Sequence, residues 1–176
     1  MRVLRNLKKW NSEKIKTLRE TPNTEDETRV RARLRKRAER MGYTIFPEPK
    51  GVTGGGTVPA GWKKEDIPEH NYKKHRYDRI PEELIGKPLI SVVKDDRKGK
   101  PYVLAHELGH ATGKNLRRST GDGSTDSRLR RQFEEIRANI QGYKILKEEG
   151  ADDQTLKNAR KGFYRQTLNT ILGKPR

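Results

Sequence analysis

The sequence predicts an α+β domain in which helices dominate and a small sheet packs on one motif-bearing helix. Three observations predict it. Apolar residues recur at helical spacing over about 25–41, 127–149 and 152–172. One near-continuous apolar run, Pro88-Leu89-Ile90-Ser91-Val92-Val93, has the length and content of a buried strand. Soon after it, His106-Glu107-Leu108-Gly109-His110 lies in a segment with a helix start at Pro101 and a stop at Gly113.

Taken in order, residues 2–20 read as a basic helix with Leu7, Trp10, Ile15 and Leu18 for packing. Thr21-Pro22-Asn23-Thr24 breaks it, and Thr24 or Glu25 opens a second helix that ends at Gly42. In that helix Val30, Leu34, Ala38 and Met41 share one face. Residues 1–42 are therefore expected as a basic helical N-terminal arm, and 43–176 as the main domain. Tyr43-Thr44-Ile45-Phe46 is a short strand closed by Pro47 and Pro49. From Lys50 to Arg79 the chain is loop-like, with Gly54-Gly55-Gly56 at its loosest point. No Gly-Lys-Ser/Thr follows, which argues against a nucleotide cradle. Trp62, Tyr72, His75 and Tyr77 are candidates to anchor this loop, or for one of them to reach a reaction centre and stabilise an oxyanion. Lys94 to Lys100 turns the chain into the motif helix, and Asn115 to Ser127 is a polar connection. The long helix from Ser127 to Glu149 carries Leu129, Phe133, Ile136, Ile140 and Tyr143 as an apolar stripe, expected to be buried. A last helix, capped at Asp152 or Asp153, runs to Leu172 and buries Leu156, Ala159, Phe163 and Leu168, with Tyr164 at the border.

The chemistry centres on residues 106–110. Positions i and i+4 stand on one helix face, so His106 and His110 can reach one tetrahedral zinc. Glu107 sits about 100° round the helix, where it can work on a water rather than on the ion. A third protein ligand is needed. Three residues past Gly113 stands Leu116, so the extended motif with a third His fails, and His70 and His75 lie upstream. A downstream carboxylate is the expected ligand. Glu134 falls opposite the apolar stripe, toward solvent, whereas Glu135 falls on its flank beside Asn139 and Gly142. Glu135 is preferred; Asn139, one turn on, is placed to orient a ligating His. Asp122 and Asp126 are weaker candidates.

Composition limits the rest. Of 176 residues, 41 are basic and 24 acidic, a formal charge of +17, which favours polyanionic partners. The densest run sets Arg29, Arg31, Arg33, Arg35, Arg37 and Arg40 on one helix, where guanidinium groups can line a DNA or RNA backbone. There is no cysteine, so disulfides and thiolate metal sites are excluded. Nothing reads as a signal peptide, and no stretch approaches the ~20 apolar residues of a membrane span. The expectation is a cytoplasmic protein, or one carried within a phage particle, with no membrane partner.

His106-Glu107-Leu108-Gly109-His110-Ala111-Thr112-Gly113, followed by Glu134-Glu135-Ile136-Arg137-Ala138-Asn139, resembles gluzincin-type peptidases of phages and mobile elements. ImmA/IrrE peptidases carry H-E-x-x-H and then E-x-x-A-N, which Glu135 to Asn139 matches. The peptidase-like domain of ArdC-type antirestriction proteins is similar, with H-E-x-x-H-x-T-G before an E-E-x-x-A helix. The resemblance covers roughly 88–146. It implies a zincin-like metallopeptidase domain over 43–176, with zinc on His106, His110 and Glu135 and Glu107 as catalytic base. The implied activity is a zinc-dependent metalloendopeptidase acting on a protein or peptide substrate. It also implies that the strand at 89–93 is an edge that binds substrate as an added strand. The rival expectation is a nucleic-acid-associated structural or antirestriction protein, carried in a phage particle, whose zinc site is structural or vestigial.

Overall fold

The computed structural model describes residues 22–48, 56–63, 80–93, 100–112 and 125–171. Among the described residues, four α-helices and three strands make an α+β fold in which helices dominate: α1 (Glu25–Arg40), β1 (Thr44–Glu48), β2 (Gly56–Val58), β3 (Leu89–Val93), α2 (Pro101–Ala111), α3 (Thr125–Glu148) and α4 (Asp153–Ile171). Among the described residues, no helix is long and apolar enough to cross a membrane. The basic segment 2–20, apart from its neighbours from Pro22 on, lies outside the described residues, as do Tyr72, His70, His75, Tyr77, Gly113, Leu116 and Asp122.

The sheet is mixed, in the order β1-β3-β2, with β1 parallel and β2 antiparallel to β3. β3 is thus the central strand, not the expected substrate-binding edge. Its apolar run has this cause, since a strand covered on both faces needs apolar residues at successive positions. Ile90 and Val92 point into the main core with the helices, while Leu89 points the other way, onto Trp62 and Ile80. Trp62 is held there by its indole N–H, which donates to the Lys87 carbonyl at 2.8 Å. Pro47 lies inside β1 and is tolerated because β1 is an edge strand. β2 lies within the stretch expected to be loop.

α1 begins with a capping box: Thr24 Oγ1 accepts from Glu27 N, and Glu27 Oε2 accepts from Thr24 N, both at 3.1 Å. Val30, Leu34 and Ala38 are fully buried in one cluster with Leu104, Leu108 and Leu146. α1 therefore packs in the same core as the motif helix. Inside this contact, Lys100 Nζ donates to Glu27 Oε2 at 2.8 Å, tying α1 to the start of the motif helix. Gly42 takes the left-handed conformation (φ 81°) that stops α1.

α3 departs from its expected orientation. Leu129, Phe133 and Ile140 are 47%, 69% and 53% exposed, whereas Glu135, Ala138, Asn139, Ile145 and Leu146 are buried. Where this face crosses α2 it carries small residues, Ala138 and Gly142. A Cβ on Gly142 would lie 2.8 Å from the Ala105 carbonyl oxygen and 3.1 Å from His106 N. A Cβ on Gly109 would lie 2.9 Å from the Ala138 carbonyl carbon. α2 and α3 thus meet backbone on backbone, a contact that apolar side chains would prevent. In α4, Asp152 Oδ1 caps the helix by accepting from Thr155 N at 2.6 Å, and Thr155, Ala159 and Phe163 are buried, while Leu168 is partly exposed.

Candidate metal centre

Pro101 occupies the first turn of α2, where its missing N–H leaves no bond unmade. One and two turns on, His106 and His110 project from the same face. The close α2–α3 crossing brings Glu135 to them. His106 Nε2 lies 3.1 Å from His110 Nε2 and 3.2 Å from Glu135 Oε2, and His110 Nε2 lies 3.7 Å from Glu135 Oε2. His106 and Glu135 are buried, and His110 is half-buried. The cluster holds the preferred carboxylate, and not Glu134, on the flank of α3.

The tautomer of His106 follows from a chain of donors that ends on a carbonyl. Phe163 O can only accept, so the Asn139 atom 3.4 Å from it is Nδ2, which also donates to Thr167 Oγ1 at 2.9 Å. That leaves Asn139 Oδ1 facing His106 Nδ1 at 2.8 Å, so Nδ1 carries the proton. His106 Nε2 then presents its lone pair to His110 and Glu135. Two imidazole nitrogens and a carboxylate oxygen converging in this way favour a cation between them. The separations fit one: in a tetrahedron with the ~2.0–2.2 Å bonds of imidazole and carboxylate ligands, the ligand atoms stand roughly 3.3–3.6 Å apart. The three measured edges bracket that value, so the group is compatible with a metal ion.

Glu107 is buried and turns toward β2. Thr57 Oγ1 lies 2.9 Å from Glu107 Oε2 and 3.0 Å from the Glu107 carbonyl oxygen, and its single proton serves one of them at a time. A further polar group comes from α4: Gln166 Nε2 lies 2.7 Å from His106 Nε2. The ring of Phe163 flanks the site, 6.4 Å from that of His106 and edge-on to Tyr102.

Thr57 and Gln166 were not expected at the site. Thr57 sits where the sequence reads as loop. Gln166 and Thr167 continue the spacing of Thr155, Ala159 and Phe163 by three and four residues, and that periodicity is the signal that places them on the inner face of α4. Trp62, one of four candidates to anchor the loop or stabilise an oxyanion, spends its N–H on Lys87 O. Asp126 lies in the first turn of α3.

The six arginines of α1 differ in their surroundings. Arg31 is 3% exposed. Arg29 pairs with Asp26. Arg33 Nη1 donates to Glu149 O at 2.8 Å, and Arg37 Nη1 pairs with Glu148 and Glu149 at 2.7 and 3.1 Å. These arginines clasp the C-terminal end of α3, where a helix favours positive charge. Arg40 is exposed and Arg35 half-buried. No family model, curated protein or solved structure matches the chain.

Proposed function

We propose that the chain is a zinc-dependent metalloendopeptidase of the gluzincin type. The observation that supports this most is the juxtaposition of the His106–His110–Glu135 triangle with a buried Glu107 held by Thr57 on a sheet edge. A two-His, one-carboxylate set suits zinc with one position left open. Bound zinc supplies an acidified water and polarises a carbonyl.

The chain's own residues do the rest. His106, locked by Asn139 as the Nδ1–H tautomer, offers Nε2, and His110 and Glu135 complete the ligand set. Thr57, donating to Glu107 Oε2, leaves Oε1 to accept a proton from the attacking water and pass it to the leaving amine nitrogen. Among the described residues β2 pairs with β3 on one side only, so its other edge can take an extended peptide as an added strand beside Glu107. This gives β2 the role that the family resemblance implied for β3.

The test is Glu107→Gln with the whole chain, read by zinc content and by mass spectrometry of a mixed-sequence peptide library. Zinc should stay near one per chain while cleavage falls about 10²- to 10⁴-fold. Cleavage equal to wild type would refute the assignment of Glu107. A formal charge of +17 supports the second reading, a nucleic-acid-associated protein with a structural metal site. That reading requires nucleic-acid affinity that survives Glu107→Gln and falls steeply with salt.

A further inference from the structure

Gln166 stands on α4, outside the two motifs that supply the ligands, yet its carboxamide lies 2.7 Å from His106 Nε2. The tautomer settles which end of the carboxamide faces in. In the neutral imidazole that a metal ligand requires, a proton on Nδ1 toward Asn139 makes Nε2 the acceptor, and the Gln166 atom against it is then the N–H donor. That lone pair is also the one through which His106 would hold an ion, and it serves one partner at a time.

The turn of α4 that carries Gln166 is fixed at this level. Asn139 donates to Phe163 O and to Thr167 Oγ1, the residues three before and one after it. One Asn side chain therefore orients both the ligating His and the helical turn that aims Gln166. Gln166 is neutral, so it adds a donor without adding charge to the two-His, one-carboxylate set.

Resting on the peptidase reading above, we propose that Gln166 is the hydrogen-bond donor of the open face of the site. Without an ion its N–H is satisfied by His106 Nε2. With the ion in place the same N–H turns to the carbonyl oxygen of a bound amide, where negative charge gathers during attack. A donor fixed beside that oxygen beforehand needs little reorganisation as charge develops. Trp62 cannot fill this role while it donates to Lys87 O.

The experiment uses the whole chain, with Zn²⁺, Co²⁺ and acetohydroxamate as probes. The variants are Gln166→Ala and Gln166→Met, the second keeping side-chain length without the N–H. Zn²⁺ affinity, measured against a chromophoric chelator, should be unchanged or roughly 2- to 10-fold tighter, because a competing hydrogen bond is gone. Acetohydroxamate, titrated into the Co²⁺ form and read by visible absorption, should bind about 10-fold more weakly to both variants. Unchanged acetohydroxamate affinity in Gln166→Met would overturn the proposal. So would a tenfold loss of Zn²⁺ affinity, which would make Gln166 a ligand instead of a donor. A wild-type chain that takes up neither metal would instead sink the peptidase reading, along with anything built on it.

Discussion

Gly109→Ala separates two physical accounts of the motif helix by sign. Helix propensity alone says that alanine in place of a mid-helix glycine stabilises by about 0.8–1 kcal/mol. The structure says the opposite. A Cβ at 109 would stand 2.9 Å from the carbonyl carbon and 3.0 Å from the Cα of Ala138, with the carbonyl oxygen nearer still. Carbon atoms in contact rest at ~3.5–4.0 Å, so the two backbones must part by at least roughly 0.5 Å. Both atoms are helix backbone, which no rotamer change can move aside. Overpacking of this kind costs about 1–3 kcal/mol. For a chain of this size that lowers Tm by roughly 2–12 °C. There is a second consequence. Gly109 lies between His106 and His110, and Ala138 lies between Glu135 and Asn139. Metal sites tolerate about ±0.2 Å in ligand distance, so the same parting should weaken Zn²⁺ binding at least tenfold. Thermal melts without metal and chelator competition with Zn²⁺ read the two effects separately. A Gly109→Ala chain that melts higher than wild type and binds Zn²⁺ equally well would refute the backbone-contact account.

Other perturbations address the supports around the site. Asn139→Ala frees the ring of His106, and metal affinity should drop about 10- to 100-fold; equal affinity would show that Asn139 orients nothing. Thr57→Val keeps shape but removes the donor to buried Glu107, and urea unfolding should show a loss of about 1–3 kcal/mol with Zn²⁺ content unchanged. Lys100→Met leaves Glu27 buried opposite an apolar chain and should cost about 3–5 kcal/mol, most of it regained by adding Glu27→Gln; no recovery in the double variant would contradict the pairing. Burial pushes the Asp26 carboxyl up, but hydrogen bonds from Asp152 N–H, the Thr155 hydroxyl and Arg29 outweigh this and hold it below its ordinary value. A lowered folded-state pKa contributes stability above the unfolded value, near ~3.9, that fades as pH falls through the folded one. The stability gap between wild type and Asp26→Asn should therefore be full at about pH 6 and shrink below about pH 4; a constant gap would argue against these bonds.

What the sequence makes legible here is what is local. The spacing of His106 and His110, the capping signal at Thr24 and Glu27, the glycine stop at 42 and the core face Val30–Leu34–Ala38 depend on neighbours within one or two turns. Thr57 reaches Glu107 across 50 residues and Gln166 reaches His106 across 60; the period of α4 places Gln166 on its inner face but does not say what it meets there. The arginine row shows the other limit. Alternating Arg residues on a helix read as a solvated cationic face, because the acceptors that claim Arg33 and Arg37 lie more than 110 residues away at the end of α3.

The error on α3 has a more general cause. Amphipathic reading assumes that the apolar stripe is what a helix buries. That holds when side chains fill the space between helices. It fails when the closest contact is between backbones, because then residues are selected for small size. Where α3 crosses α2 at the level of the ligands, the inward positions are Glu135, Ala138, Asn139 and Gly142, none of them large and apolar; Ile145 and Leu146 are buried further along the helix. The same close approach lets a short Glu and a short Asn reach an imidazole on the neighbouring helix. A large apolar residue at 138 or 142 would fill the crossing and hold Glu135 out of reach of His106. The burial of a polar flank and the exposure of Phe133 are therefore two results of one requirement: a three-residue ligand set assembled from two helices needs those helices in near-contact at the level of the ligands.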